Sequence, residues 1–179
     1  MKSLWNFQNH CWNSKMIFYS FGILLYLSVF VSGGEPPSLG KNNDVFRMAM
    51  PNVTTSQADS YLCTPFRLDS ISKSPIYVTG YRPAAEASKA HHMLLQKCNV
   101  PYQIEEGKSW DCLTAPVCRD PASIIYGWAK NADSLKLPDG VSFTLDPSEI
   151  QYLVLQVHYA DTIQNPDASG LTLELSPKP

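Results

Sequence analysis

The chain has 179 residues, of which 44% are apolar and 17% charged, with a net charge of −2. That length suits one ordinary domain with appendages; the apolar content excludes a disordered chain, and the mixed composition excludes a coiled coil or collagen. Fourteen prolines and nine glycines argue against a helical bundle, and the near-neutral charge offers no footprint for nucleic acid.

The first element is an address label. Met16 to Val31 carries no charge, Lys2 and Lys15 precede it, and no acid occurs before Glu35. A basic start, an apolar run and then Ser32, Gly33 and Gly34 follow the order of a secretory signal, with cleavage expected after Gly33. The apolar run of sixteen residues is short against the roughly 20 that span a bilayer, so a membrane is a partner only if this segment is retained. The expected organisation is a signal peptide at 1–33, an irregular leader at 34–43 and one domain at 44–179. Cleavage removes Lys2 and Lys15, leaving 12 basic against 16 acidic residues.

Residues 35–60 are polar and proline-bearing and read as irregular at first. Tyr61–Leu68 reads as a strand that Pro65 places at an edge or bulge. Ile76–Tyr81 and His91–Cys98 read as further strands. Ser123–Lys130 fits a strand or one or two helical turns. Ile150–Ala160 is the strongest strand, and Leu171–Leu175 alternates cleanly. Turn signals lie between them at Pro101, Glu106-Gly107, Pro138-Asp139-Gly140 and Asn165-Pro166-Asp167. Short strands with such punctuation predict an all-β sandwich or barrel.

Four cysteines follow the signal: Cys63, Cys98, Cys112 and Cys118. An even number in an oxidising compartment predicts two disulfides, with three pairings open. No C-x-x-C spacing points to a thiolate metal site. Asn52-Val53-Thr54 is the one glycosylation sequon.

Three histidines follow the signal: His91, His92 and His158. Alternation puts Ile150, Tyr152, Val154, Gln156 and His158 on one face of the long strand, away from Leu153, Leu155 and Val157. His158 then stands where a ligand site can reach solvent. Adjacent residues on a regular strand face opposite ways, so His91 and His92 share one ion only if the strand begins or twists there. Two neighbouring imidazoles and a third from a distant strand make a three-nitrogen site suited to copper, zinc, iron or nickel. The nearest acid to the pair in sequence is Glu86, which disfavours the two-histidine, one-carboxylate iron arrangement. No nucleophile elbow competes with this reading.

The segments around these histidines carry a family likeness. HHMLLQKC at 91–98, LQVHYAD at 155–161, YLCTPFRL at 61–68 and YGWAKNADSLKLP at 126–138 occur in this order. Together they closely resemble the amino-terminal copper domain of the peptidylglycine α-hydroxylating monooxygenases, within the type II ascorbate-dependent copper monooxygenases. The likeness covers roughly residues 44–175. Gln156, the Ala160-Asp161 pair and WAKNA at 128–132 resemble the peptidylglycine branch rather than the dopamine β-monooxygenase branch.

The resemblance implies a jelly-roll-like antiparallel β-sandwich. It implies that His91, His92 and His158 hold one copper, the electron-transfer copper, with Tyr61 and Gln156 close behind them. It implies the pairings Cys63–Cys112 and Cys98–Cys118. The activity it implies is hydroxylation of the α-carbon of a C-terminal glycine, with O2 and ascorbate, on glycine-extended peptides in the secretory pathway. Two departures stand out. A third family disulfide would place a cysteine at Ala168, and none remains upstream to pair with it. The family's second copper, held by two histidines and a methionine on a second domain, finds no ligands here, because neither residue type follows His158. The expectation is half of an enzyme, inactive alone. The other readings are a dopamine β-monooxygenase-like half and a non-enzymatic secreted copper-binding module.

Overall fold

Alternating apolar residues build ten strands and one helical turn in the computed structural model, which describes residues 45–179. The expected signal peptide (1–33) and leader (34–43) lie outside the described residues. In chain order the strands are β1 (Val45–Ala49), β2 (Ser60–Arg67), β3 (Ile76–Ala84), β4 (His92–Cys98) and β5 (Trp110–Asp111). They continue with β6 (Ser123–Ala129), β7 (Leu135–Lys136), β8 (Phe143–Leu145), β9 (Tyr152–Tyr159) and β10 (Gly170–Ser176). The helical turn α1 (Leu68–Ile71) follows β2 directly. No helix among the described residues is long and apolar enough to cross a membrane.

One sheet runs β1-β10-β3-β7, with β8 also pairing β3; the other runs β5-β2-β9-β4-β6. Every pairing is antiparallel. The chain crosses between the two sheets at six of its nine strand-to-strand connections. The expected all-β sandwich is therefore observed. Ser123–Lys130 resolves as a strand. β1 lies inside the stretch expected to be irregular, where Met48 is fully buried and Ala49 pairs Gly170. A side chain at Gly170 would run into the Met48 carbonyl, so only glycine lets β1 and β10 approach this closely. Pro65 sits where β2 is an edge: β9 pairs its whole length, but β5 pairs only Leu62 and Cys63.

The sandwich interior collects Met48, Val78, Tyr81, Leu95, Leu153, Leu155, Val157, Tyr159 and Leu173, all fully buried. The opposite row of β9 is not a solvent face, which corrects the alternation reading. Tyr152, Val154, Gln156 and His158 are buried as well. Val154 packs in a second small core with Cys63, Cys98 and Trp110. The segment between β4 and β6 forms this cover, and disulfides Cys63–Cys112 and Cys98–Cys118 staple it to the sheet. These are the two pairings expected.

Candidate metal centre

Strand register assembles the site. Tyr61 of β2 lies opposite His158 of β9, and His158 lies opposite His92 of β4. Three rings thus form a row across one face of the sheet. His91 joins from the bend just before β4. A turn leads into it, with the Lys89 and Ala90 N–H groups both donating to the Glu86 carbonyl at 2.9 Å. The His91 N–H then donates to the His158 carbonyl at 2.8 Å. Because His91 precedes the regular strand, its ring is free to swing to the side of His92. That is the break in the strand that adjacency demanded.

The three imidazoles converge through one kind of nitrogen. His92 Nδ1 lies 3.3 Å from His91 Nδ1 and 3.3 Å from His158 Nδ1. One ligand nitrogen from each histidine lies within 4.8 Å of the others. An imidazole nitrogen sits roughly 2.0–2.1 Å from a bound zinc ion, and similar first-row ions are comparable, so two ligands at a tetrahedral angle are roughly 3.3 Å apart. The donor spacing therefore fits a metal ion. His158 is only 6% exposed, while His91 and His92 are half-buried, so access runs past the pair rather than past His158. Burial, and then the neighbouring His158 and His91, push the pKa of His92 down and favour its neutral form, which has a lone pair to donate. Three imidazoles, with no thiolate or carboxylate among the converging donors, suit copper, among other late first-row metals.

The surrounding groups divide by role. Tyr61 stacks on His158, with ring centroids 4.1 Å apart and planes 10° apart, and meets His92 edge-on at 5.9 Å. Gln156 lies beside the Cys63–Cys112 disulfide. Its Nε2 lies 3.4 Å from Cys112 Sγ and 3.8 Å from Cys63 Sγ, so its amide faces the disulfide. Asn52 of the sequon is exposed at a left-handed turn, with φ of 53°. Glu86, the nearest acid in sequence, serves the turn through its carbonyl. The carboxylate that does reach the site is Asp59, whose Oδ1 is 3.3 Å from His158 Nε2. Sequence reasoning missed it; an exposed acid two residues before Tyr61 carries no pattern of its own. A second grouping, Cys98, Cys118 and Asp120, offers no metal site because both cysteines are spent in a disulfide.

Comparison with known proteins places the chain in a family. Residues 46–166 match the family described as copper type II ascorbate-dependent monooxygenase, N-terminal domain. Peptidyl-glycine alpha-amidating monooxygenase B of Xenopus laevis is 42% identical over 146 residues, covering 79% of this chain and 16% of that protein. The mouse peptidyl-glycine alpha-amidating monooxygenase is 38% identical over 135 residues, covering 73% of this chain and 13% of its own length. The rat protein of that name is 37% identical over 151 residues, covering 82% and 15%. This chain thus spans only a small part of the length of these relatives. The histidine triad lies inside the matched segment, and the chain belongs to the copper type II ascorbate-dependent monooxygenase family, matching its N-terminal domain.

Proposed function

We propose that this chain is the electron-transfer copper domain of a peptidylglycine monooxygenase, with His91, His92 and His158 holding one copper. The approach of His91 Nδ1 and of His158 Nδ1 to 3.3 Å from His92 Nδ1 carries the reading. The amidating monooxygenases among its relatives support the substrate class, peptides extended by a C-terminal glycine. When bound, copper supplies one-electron storage and transfer, for which all-nitrogen ligation serves both oxidation states.

The chain's own residues do the rest. The β2-β9-β4 register holds His158 and His92 side by side, and the turn at 86–90 sets His91 beside them. Tyr61 covers one face of His158 and keeps water from it. In the overall reaction one oxygen atom of O2 enters the glycine α-C–H bond. The other leaves as water, using two protons and two electrons drawn from ascorbate. The hydroxyglycine peptide so formed is the precursor of an amidated peptide. The described residues supply the electron-transfer metal site of that reaction. Residues 1–33 direct it to the secretory pathway, where Asn52 is a glycan acceptor and both disulfides form.

The test is metal content. Residues 34–179, secreted from a eukaryotic host and dialysed, should hold one copper per chain. His158→Ala should abolish tight binding while both disulfides remain. Equal copper in the variant and the parent would remove the assignment.

A further inference from the structure

His158 is held at both ring nitrogens. Nδ1 faces His92 Nδ1 at 3.3 Å, and Nε2 faces Asp59 Oδ1 at 3.3 Å. A neutral imidazole carries one proton, and a carboxylate only accepts. In a neutral His158 a proton shared with Asp59 would sit on Nε2, which would leave the Nδ1 lone pair facing His92.

The position of Asp59 is built rather than incidental. Its backbone is left-handed, with φ of 51°, a conformation that aspartate tolerates better than most residues. Its N–H donates to the Ala160 carbonyl at 3.2 Å, two residues beyond His158. Ser60 then opens β2 opposite Tyr159. The Asp59 side chain is 81% exposed while that of His158 is 8% exposed, so the carboxylate keeps its water and touches the buried ring only at Nε2.

We infer that Asp59 is a positioning residue that fixes the Nε2–H tautomer of His158 and so presents its Nδ1 lone pair to the metal position. The inference rests on reading the triad as the copper site. A histidine ligand commonly gives its second nitrogen to such a partner, whose loss typically weakens metal binding on the order of 10–100-fold.

The test uses the full secreted chain in two variants. Asp59→Gly removes the carboxylate and accepts the left-handed backbone without strain. Asp59→Asn keeps an oxygen acceptor. The His158 tautomer is read in the metal-free protein by long-range proton–nitrogen NMR, and Cu(I) affinity by competition with a chromophoric chelator without oxygen. The parent should show the Nε2–H form. Asp59→Gly should show mixed tautomers and bind Cu(I) about 10-fold or more weakly, while Asp59→Asn stays within about threefold of the parent. A predominant Nδ1–H form in the parent, a measurement needing no variant, would overturn the inference. So would an unchanged tautomer or affinity in Asp59→Gly. His158→Ala separates the two levels: if it binds Cu(I) as tightly as the parent, the copper reading itself fails. If only His158→Ala loses binding, Asp59 alone is dismissed.

Discussion

Tyr61 lies flat against His158, 4.1 Å from centroid to centroid and tilted by 10°, as the direct cross-strand partner of that histidine. The stack buries one face of the imidazole and restricts its rotation, so the ring does not have to be ordered when metal binds. Stacked aromatic pairs contribute about 1 kcal/mol beyond their buried area. Tyr61→Ala should therefore weaken copper binding about fivefold. Tyr61→Phe should leave it unchanged, since no hydrogen bond of the Tyr61 hydroxyl enters the site. Competition titrations on both variants check this, and equal affinities for the alanine and phenylalanine variants would dismiss the stack.

The long strand at 152–159 was legible because its alternation is strong, and the bend before His92 was legible because two adjacent ligands require one. The row Tyr61, His158, His92 was not, since register is set by tertiary pairing and a sequence shows only which residues alternate. Burial of the outer row of β9 was hidden for a similar reason. Gln156 and His158 look like surface residues until the segment carrying Trp110 is stapled over the neighbouring Val154. The strands β5 and β7, two residues each, are too short to leave a periodic signal. The residue before Ser60 shows nothing locally that marks it as the partner of a histidine 99 positions away.

The two staples should differ in worth. Cys63–Cys112 closes 49 residues and Cys98–Cys118 closes 20. Loop-closure entropy assigns about 4 kcal/mol to the longer loop and about 3 kcal/mol to the shorter. Replacing Cys63 and Cys112 together by alanine also removes the sulfurs that Gln156 Nε2 faces. Guanidinium unfolding should place this variant below the Cys98/Cys118 double alanine variant. The reverse order would show that native contacts, rather than the unfolded chain, decide the difference.

Asp120 should make the stapled segment sensitive to acid. Burial pushes its pKa up, but the Asn99 and Val100 N–H groups at 3.0 and 2.9 Å more than offset this and hold it below the ordinary 3.8. A carboxyl with a depressed folded-state pKa stabilises the protein above its unfolded pKa. That contribution is lost as pH falls through the folded value. Asp120→Asn should therefore melt below the parent at pH 7, and the gap should close as pH drops below 3.8. Melting temperatures of both proteins across that range provide the check. A gap that persists at low pH would assign the effect to shape rather than charge.

Asp167 ties the end of β9 to the approach of β10. The residue is 3% exposed, and its carboxylate accepts from the Tyr159 hydroxyl at 2.8 Å, the Ser169 N–H at 3.0 Å and the Ser169 hydroxyl at 3.0 Å. Its backbone also bridges to Val53, tying the end of the β1 segment to the approach of β10. Asp167→Ala strands three buried donors at once, and the unmet hydrogen bonds should cost about 3 kcal/mol in urea unfolding. Tyr159→Phe removes one donor together with its need for a partner and should cost about 1 kcal/mol. Because both changes remove the same bond, the double variant should lose less than the sum of the two. An additive result would mean that the tyrosine and the aspartate act independently, and that the β9 end is held by apolar packing alone.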